Sequence, residues 1–363
     1  MNKREIILET NNFQPGFSGN FIFDQKAKKF LNKIEIDLDE LCAKFLLEEF
    51  DDLRPVKFYG QFPALNYLIE NIREFKFEGA HPGASKDPRK ENSRVLGQTI
   101  CRYFVEKTFG TGFMANIGTL LGRKLPPEFA HISVDRIQEG DTPDFLFIDN
   151  NNAPCLAEAK GRRTAVPFSD NKFDTWRKQF EKIEVKINGS PTEVKGYITE
   201  LAIANEDNKM SNSIFYVEDP KLEGKEYNDG NLDQLIKLAH YERILARTYL
   251  NFVGNSLLSN EKLSQSKNYG VRVFKVAGIE ALRNHEIVPL YEFLPNRFFL
   301  KNAIFIGISF AVLKNLLHIA RGNQIGLYES VKYINFNSVF FQFIDGFTVC
   351  NSNLLEYVER REI

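Results

Sequence analysis

The segment 142–160 constrains this chain more than any other. Phe145-Leu146-Phe147-Ile148 is a continuous apolar run, a second lies within Ala153–Lys160, and Asn150-Asn151-Asn152 separates them. Two short apolar strands joined by a polar turn pair antiparallel, so Thr142–Asp149 and Ala153–Lys160 are expected to form a hairpin. Its open end is charged: Asp144 starts one strand, and Glu158 and Lys160 end the other. Residues two apart share a sheet face, so Glu158 and Lys160 point the same way. Three charged groups converge at one end of an apolar hairpin. Carboxylates gathered in a half-buried place repel unless something cationic sits between them.

The surrounding sequence alternates helix and strand. Ser93–Phe109 and Asn171–Ile183 read as helices, and Asn231–Phe252 as a long one. Phe129–Ile137, Tyr197–Ala204 and Ile214–Val217 read as strands, and Asn188-Gly189 marks a hairpin turn. The Gly- and Pro-dense stretch 79–88 reads as a loop and a boundary. Three regions follow: a mixed N-terminal region 1–85, a central α/β region 86–255, and a mixed C-terminal region 256–363 that holds a helix at Phe310–Ala320. In the first, Asp37–Leu53 has helical apolar spacing and carries seven acids against Lys44, which reads as a solvated acidic face. The chain has 363 residues, 43% of them hydrophobic, which is enough for a sizeable core.

An all-oxygen donor set of Asp144, Glu158 and a neighbouring backbone carbonyl suits a hard divalent cation such as Mg²⁺. Such an ion activates water and neutralises charge on a phosphoryl oxygen, and Lys160 adds a positive point charge beside it. Pro143-Asp144 followed by Glu158-Ala159-Lys160, between helices, resembles the PD-(D/E)XK nuclease signature. The resemblance covers residues 90–220. It implies an α/β, restriction-endonuclease-like core, a central mixed sheet flanked by helices; the flanking regions match no family and are read as N- and C-terminal mixed α/β extensions. It implies that Asp144, Glu158 and the Ala159 carbonyl bind Mg²⁺, with Mn²⁺ as a substitute, and that Lys160 is catalytic. Many members add an acid from the first core helix; Glu91 and Glu106 both qualify, and Glu91 is preferred. Some place a glutamine in the following helix, where Gln179 stands. The implied activity is metal-dependent hydrolysis of nucleic-acid phosphodiesters, with DNA favoured over RNA, in a restriction or phage-defence setting.

Charge supports a phosphate-backbone partner. Seven bases against three acids lie between Lys160 and Lys182, among them Arg162, Arg163, Arg177 and Lys178. Lys86, Arg89, Lys90 and Arg94 form a second basic cluster. Such local patches make a nucleic-acid groove in a chain whose formal net charge is only -1. Two other readings are kept. One is a catalytically silent nucleic-acid-binding module of the same fold. The other is a subunit-docking protein using Phe-rich segments such as Phe336–Phe347, although core strands are the simpler reading there. A homodimer or a separate partner subunit is compatible with all of these.

Several chemistries are excluded by pattern. No Walker P-loop occurs, and the five histidines lack zinc-binding spacing. Gly110-Thr111-Gly112 follows a helix, so a dinucleotide-binding reading fails its context. Trp176 has core spacing with Phe173 and Phe180, and His240 and His318 read as ordinary helix residues. His131 and Asp135 could border the site, but core or surface places suit them better. The four cysteines are dispersed and no signal-peptide-like or membrane-spanning run is found, so a cytoplasmic, membrane-free setting is expected.

Overall fold

The computed structural model describes residues 3–13, 20–48, 63–220, 224–225, 230–277, 285–291, 304–323, 333–336, 340–351 and 354–363. In chain order these form β1 (Lys3–Asn11), β2 (Phe23–Asp24), β3 (Lys29–Phe30), β4 (Lys33–Asp37), α1 (Leu38–Glu48), β5 (Lys76–Phe77) and α2 (Lys86–Phe109). Next come β6 (Ala115–Asn116), α3 (Ile117–Leu120), β7 (Ile132–Arg136), β8 (Phe145–Ile148), β9 (Pro154–Arg162) and α4 (Asn171–Phe180). Then follow β10 (Ile183–Ile187), β11 (Ser190–Pro191), β12 (Lys195–Ala202), β13 (Ala204–Asn205), β14 (Ile214–Glu218), α5 (Gly230–Leu245) and α6 (Asn251–Leu257). The remainder is β15 (Gly270–Val276), β16 (Glu286–Tyr291), β17 (Ile304–Ser309), α7 (Phe310–Ala320), β18 (Ile334–Phe336), β19 (Phe340–Gln342), β20 (Phe347–Asn351) and β21 (Leu355–Glu362).

The chain is mixed α/β and divides into two compact units, not the three regions read from sequence. The boundary expected near residue 85 fails for a physical reason. The N-terminal strand β1 pairs in parallel with β14, so residues 3–37 supply two strands of the central region's own sheet. The second unit is formed mainly by Lys237–Ile363, with Leu125–Pro127 added to it. It contains a seven-stranded sheet, β18-β19-β20-β17-β16-β15-β21, in which Phe340 and Phe347 are fully buried as core residues, as is Phe343 in the turn between β19 and β20. Residues 337–339 of the expected Phe-rich docking segment lie outside the described set.

The first unit is built on the sheet β4-β1-β14-β12-β9-β8-β6. The β8–β9 hairpin is antiparallel, with Phe145 opposite Ala157 and Ile148 opposite Pro154. Its turn is closed by Asp149, whose Oδ1 accepts from the Asn151 and Ala153 amides at 2.9 Å, and Asn152 takes a positive φ of 58°. Strand β12 lies parallel to β9, and parallel neighbours need a crossover. Helix α4 lies within that connection, started by Asp170, whose side chain caps the Lys172 amide. Its apolar Phe173, Trp176 and Phe180 are buried, as their spacing requires.

Strand β7 departs from the sequence order. It pairs with β10 in a separate three-stranded sheet, through Ile183–Arg136 to Ile187–Ile132, and short β6 takes the place beside β8. His131 and Asp135 therefore lie at that second sheet: Asp135 accepts from the Ser133 hydroxyl at 2.7 Å. The Asn188-Gly189 turn forms between β10 and β11, with φ of 53° and 77°, the pair of positive values that this turn type requires.

Helix α2 begins at Lys86, seven residues before the apolar periodicity does. Ser85 stands in extended backbone at its N-cap, and Pro88 falls in the first turn, where a missing N–H removes no helical bond. It ends at Gly110, in the left-handed conformation with φ 67°. The helix packs directly on β9. A Cβ at Gly161 would lie 1.6 Å from the Ser93 carbonyl oxygen, and one at Gly97 would lie 2.5 Å from the Gly161 amide nitrogen. Two glycines facing each other allow this backbone-to-backbone approach.

Helix α1 corrects the reading of a solvated acidic face. Glu40 is buried and pairs with Lys107 at 2.6 Å, while Lys44 is buried against Glu106. Residues 49–53 of that segment lie outside the described set. Among the described residues no helix is long and apolar enough to cross a membrane.

Candidate functional site

The β8–β9 hairpin and its two covering helices bring the predicted residues together. One residue before the Phe145–Ala157 pair, the backbone amide of Asp144 donates to the Ala157 carbonyl at 3.0 Å. The Asp144 carboxylate then reaches past Glu158: its Oδ2 accepts from the Ala159 amide at 2.9 Å. Its Oδ1 accepts a longer bond, 3.4 Å, from the Gln98 amide nitrogen of α2. On β9, the Lys160 ammonium contacts Glu158 Oε1 directly. The Glu158 side chain is 1% exposed and the Lys160 side chain 27%. Gln179 of α4, with its amide nitrogen turned toward the carboxylate as hydrogen bonding requires, donates to the second Glu158 oxygen at 3.0 Å. Behind the pair, the Thr199 hydroxyl donates to the Glu158 carbonyl at 3.1 Å.

Burial sets the electrostatics. It raises the Asp144 carboxyl above its ordinary range, against the opposing pull of Lys160, the Ala159 amide, Gln98 and Arg102. It lowers the Lys160 ammonium, which Asp144 and Asp141 act to keep charged while Arg162 repels it. Lys160 thus contacts one carboxylate, Glu158, and is acted on through space by a second, Asp144, in a place of restricted solvent access. No third acidic, histidine or cysteine side chain completes a metal-holding group among the described residues. The donors available are two carboxylates and backbone carbonyls, all oxygen, and the Lys160 ammonium already sits on one carboxylate as a cation. A hard divalent ion fits that set.

Other predicted residues fall elsewhere. Glu91 is exposed and pairs with Arg94 at 2.6 Å; Arg94 in turn donates to Gln98, whose other amide atom reaches Asp144. Glu91 is therefore linked to the site only through Arg94 and Gln98. Glu106 is committed to Lys44. Gln98, two turns beyond Glu91, is the α2 side chain that meets Asp144, and the sequence offered no signal for it beyond its place on that helix.

The basic residues divide as well. Arg177 turns inward, donating to both oxygens of the fully buried Glu218 at 2.9 and 2.7 Å and to the Phe168 carbonyl. It clamps α4 to β14 instead of facing a phosphate. Arg162 lies over the Trp176 ring at 5.7 Å, and Arg163 is 4.0 Å from Asp207. Lys178 is exposed on α4.

Strand register places one more carboxylate on the α4-facing side. Glu158 stands beside Ile198, Lys160 beside Glu200, and Glu200 in turn beside Tyr216. Glu200 is fully buried, and neither oxygen has a hydrogen-bond partner of ordinary geometry among the described residues. Burial pushes its carboxyl up to about 8, although Arg162 and the Val166 amide favour the charged form. Sequence reasoning missed Glu200 because it looks like one polar residue in an apolar strand.

In comparisons with known proteins, no family model, no curated protein and no solved structure matches this chain.

Proposed function

We propose that this chain is a divalent-metal-dependent nuclease of the PD-(D/E)XK type that hydrolyses phosphodiester bonds of DNA. One observation carries the reading: at the open end of a buried hairpin Glu158 contacts the Lys160 ammonium directly, and the Asp144 carboxylate, held on the intervening Ala159 amide, acts on the same ammonium through space. Asp144, Glu158 and the Ala159 carbonyl would hold Mg²⁺, or Mn²⁺ in its place. That ion supplies an activated water and neutralises negative charge on the phosphoryl group.

The protein's own residues do the rest. Gln98 and the Ala159 amide hold the Asp144 carboxylate in place, and Gln179 does the same for Glu158. Held in this way, neither carboxylate needs to reorganise when charge develops. Lys160 offers its ammonium to the phosphoryl oxygen on which negative charge builds. Arg162, Arg163 and Lys178, with Lys86, Lys90 and Arg94 on α2, supply cationic surface for the phosphate backbone. A restriction or phage-defence role belongs to the same proposal.

The test is incubation of the purified chain with supercoiled, linear and single-stranded DNA and with RNA, in Mg²⁺, Mn²⁺ or EDTA. Cleavage that needs metal and vanishes in Glu158→Ala and Lys160→Ala supports the reading. Cleavage unchanged in both variants contradicts it. Binding without cleavage in every form moves the assignment to a silent nucleic-acid-binding module.

A further inference from the structure

If a divalent cation takes the Glu158 carboxylate, the Lys160 ammonium that now touches it must leave, because two cations a few ångströms apart repel. The question is where it goes. Lys160 has a flexible stem and three rotatable donors, and its neighbours on the α4-facing side are fixed by register. Parallel strands stand about 4.8 Å apart, so the residue beside Lys160 on β12, Glu200, is within easy reach of its side chain.

Three carboxylates occupy this face of β9, β12 and β14, namely Glu158, Glu200 and Glu218. Glu218 is saturated by Arg177 and by Asn11, which donates at 2.6 Å. Glu158 is the proposed ligand. Glu200 alone among them has no hydrogen-bond partner of ordinary geometry on either oxygen among the described residues, the Val166 amide only favouring its charged form, and it is completely buried. A buried acceptor without a well-placed donor is unfavourable in the state observed, and a donor arriving from the neighbouring strand would relieve that cost.

We propose that Glu200 receives the Lys160 ammonium when a divalent cation binds Glu158, and so acts as a positioning residue of the site. This rests on the nuclease reading above. Glu200 gives the displaced ammonium a second partner, one register across the sheet. It thereby lowers the competition between Lys160 and the metal while keeping Lys160 beside the site for the phosphoryl group.

The experiment is Mn²⁺ binding, read as loss of the free-ion electron paramagnetic resonance signal. The proteins compared are the full-length chain, Glu200→Met, Glu200→Gln, Lys160→Met and the Lys160→Met/Glu200→Met pair. Glu200→Met, similar in shape but with no acceptor, is expected to bind Mn²⁺ about tenfold more weakly, a coupling of ordinary size. Glu200→Gln keeps one acceptor oxygen and should fall between, which also keeps the test decisive if the methionine variant misfolds. Lys160→Met should bind more tightly than the parent, and adding Glu200→Met to it should change nothing. Unchanged affinity in both Glu200 variants overturns the proposal. So does a loss that persists without Lys160, because Glu200 would then act on the metal directly or on the fold. Cleavage is measured in parallel. Mn²⁺ binding with no cleavage by the parent overturns the nuclease reading and leaves the cycle to decide this one; no Mn²⁺ binding by any form overturns both.

Discussion

Gly161→Ala tests how the fold delivers the site. An added Cβ would sit 1.6 Å from the Ser93 carbonyl oxygen and 2.5 Å from its carbon. Ordinary contact begins near 3.4 Å, so α2 must retreat from β9 by about 1.8 Å, and backbone on both sides leaves no side chain to yield. Overpacking of a core costs about 1–3 kcal/mol where side chains can adjust. Here a regular helix and a central strand must separate, so a loss of about 4 kcal/mol or more is expected. Gly97→Ala meets the Lys160 carbonyl at 2.7 Å from the opposite side of the same contact and should lose a similar amount. Because either change opens the same gap, the double variant should lose clearly less than the sum. Gly118→Ala is the control: its nearest neighbour is the Asn116 side chain at 3.2 Å, and a change within about 1 kcal/mol is expected. Urea unfolding followed by circular dichroism gives each value. Gly161→Ala within about 1 kcal/mol of the parent would refute the direct α2–β9 packing that carries Gln98 to Asp144.

Four further outcomes follow. Glu200→Gln should flatten a pH dependence: the unfolded carboxyl ionises near 4.5 and the folded one near 8, so the folded chain holds the extra proton between them. Parent stability therefore falls as pH rises through that window and levels off above it, by up to roughly 5 kcal/mol, and the difference between variant and parent in urea midpoint at pH 5 and pH 8.5 reads it. Arg177→Met strips the guanidinium from the buried Glu218 and should destabilise by about 3 kcal/mol in the same unfolding assay. Gln98→Leu should reduce metal-dependent cleavage about tenfold or more by freeing Asp144, whereas Glu91→Gln should leave it within about threefold, as measured by initial rates on linear DNA. Lys178→Ala should weaken DNA binding and reduce its salt dependence, while Arg177→Met should change the salt dependence little, as measured by fluorescence anisotropy from 50 to about 200 mM salt.

The hairpin, α4 and α7 were legible because their signals are local. Phe310–Ala320 is helical over the range its apolar spacing gave, and Asn188-Gly189 turns where its residues demand positive φ. The start of α2 was hidden because its first turn is charged and exposed and carries Pro88, which breaks helices elsewhere but not there. The partner of β7 was hidden because nothing in an alternating strand says which edge it will choose, and β7 chose β10. The long helix expected over Asn231–Phe252 is interrupted after Leu245, where the Thr248 hydroxyl bonds the Leu245 carbonyl. His240 proved less ordinary than its helix position suggested, being buried and 2.8 Å from Asp345. At the site, Asp144, Glu158 and Lys160 were legible as a spacing. Gln98 and Glu200 were not, because their relevance arises only from long-range packing and register.

The central claim is that Asp144, Glu158 and Lys160 form one metal-dependent hydrolytic site. The most direct measurement is single-turnover cleavage of end-labelled DNA at saturating Mg²⁺, comparing the parent with Glu158→Gln and Lys160→Met in folded, circular-dichroism-matched preparations. The account predicts a fall of at least about a thousandfold in both variants, with DNA binding retained. Parent-like cleavage by either variant, or parent cleavage that persists in EDTA, would contradict it.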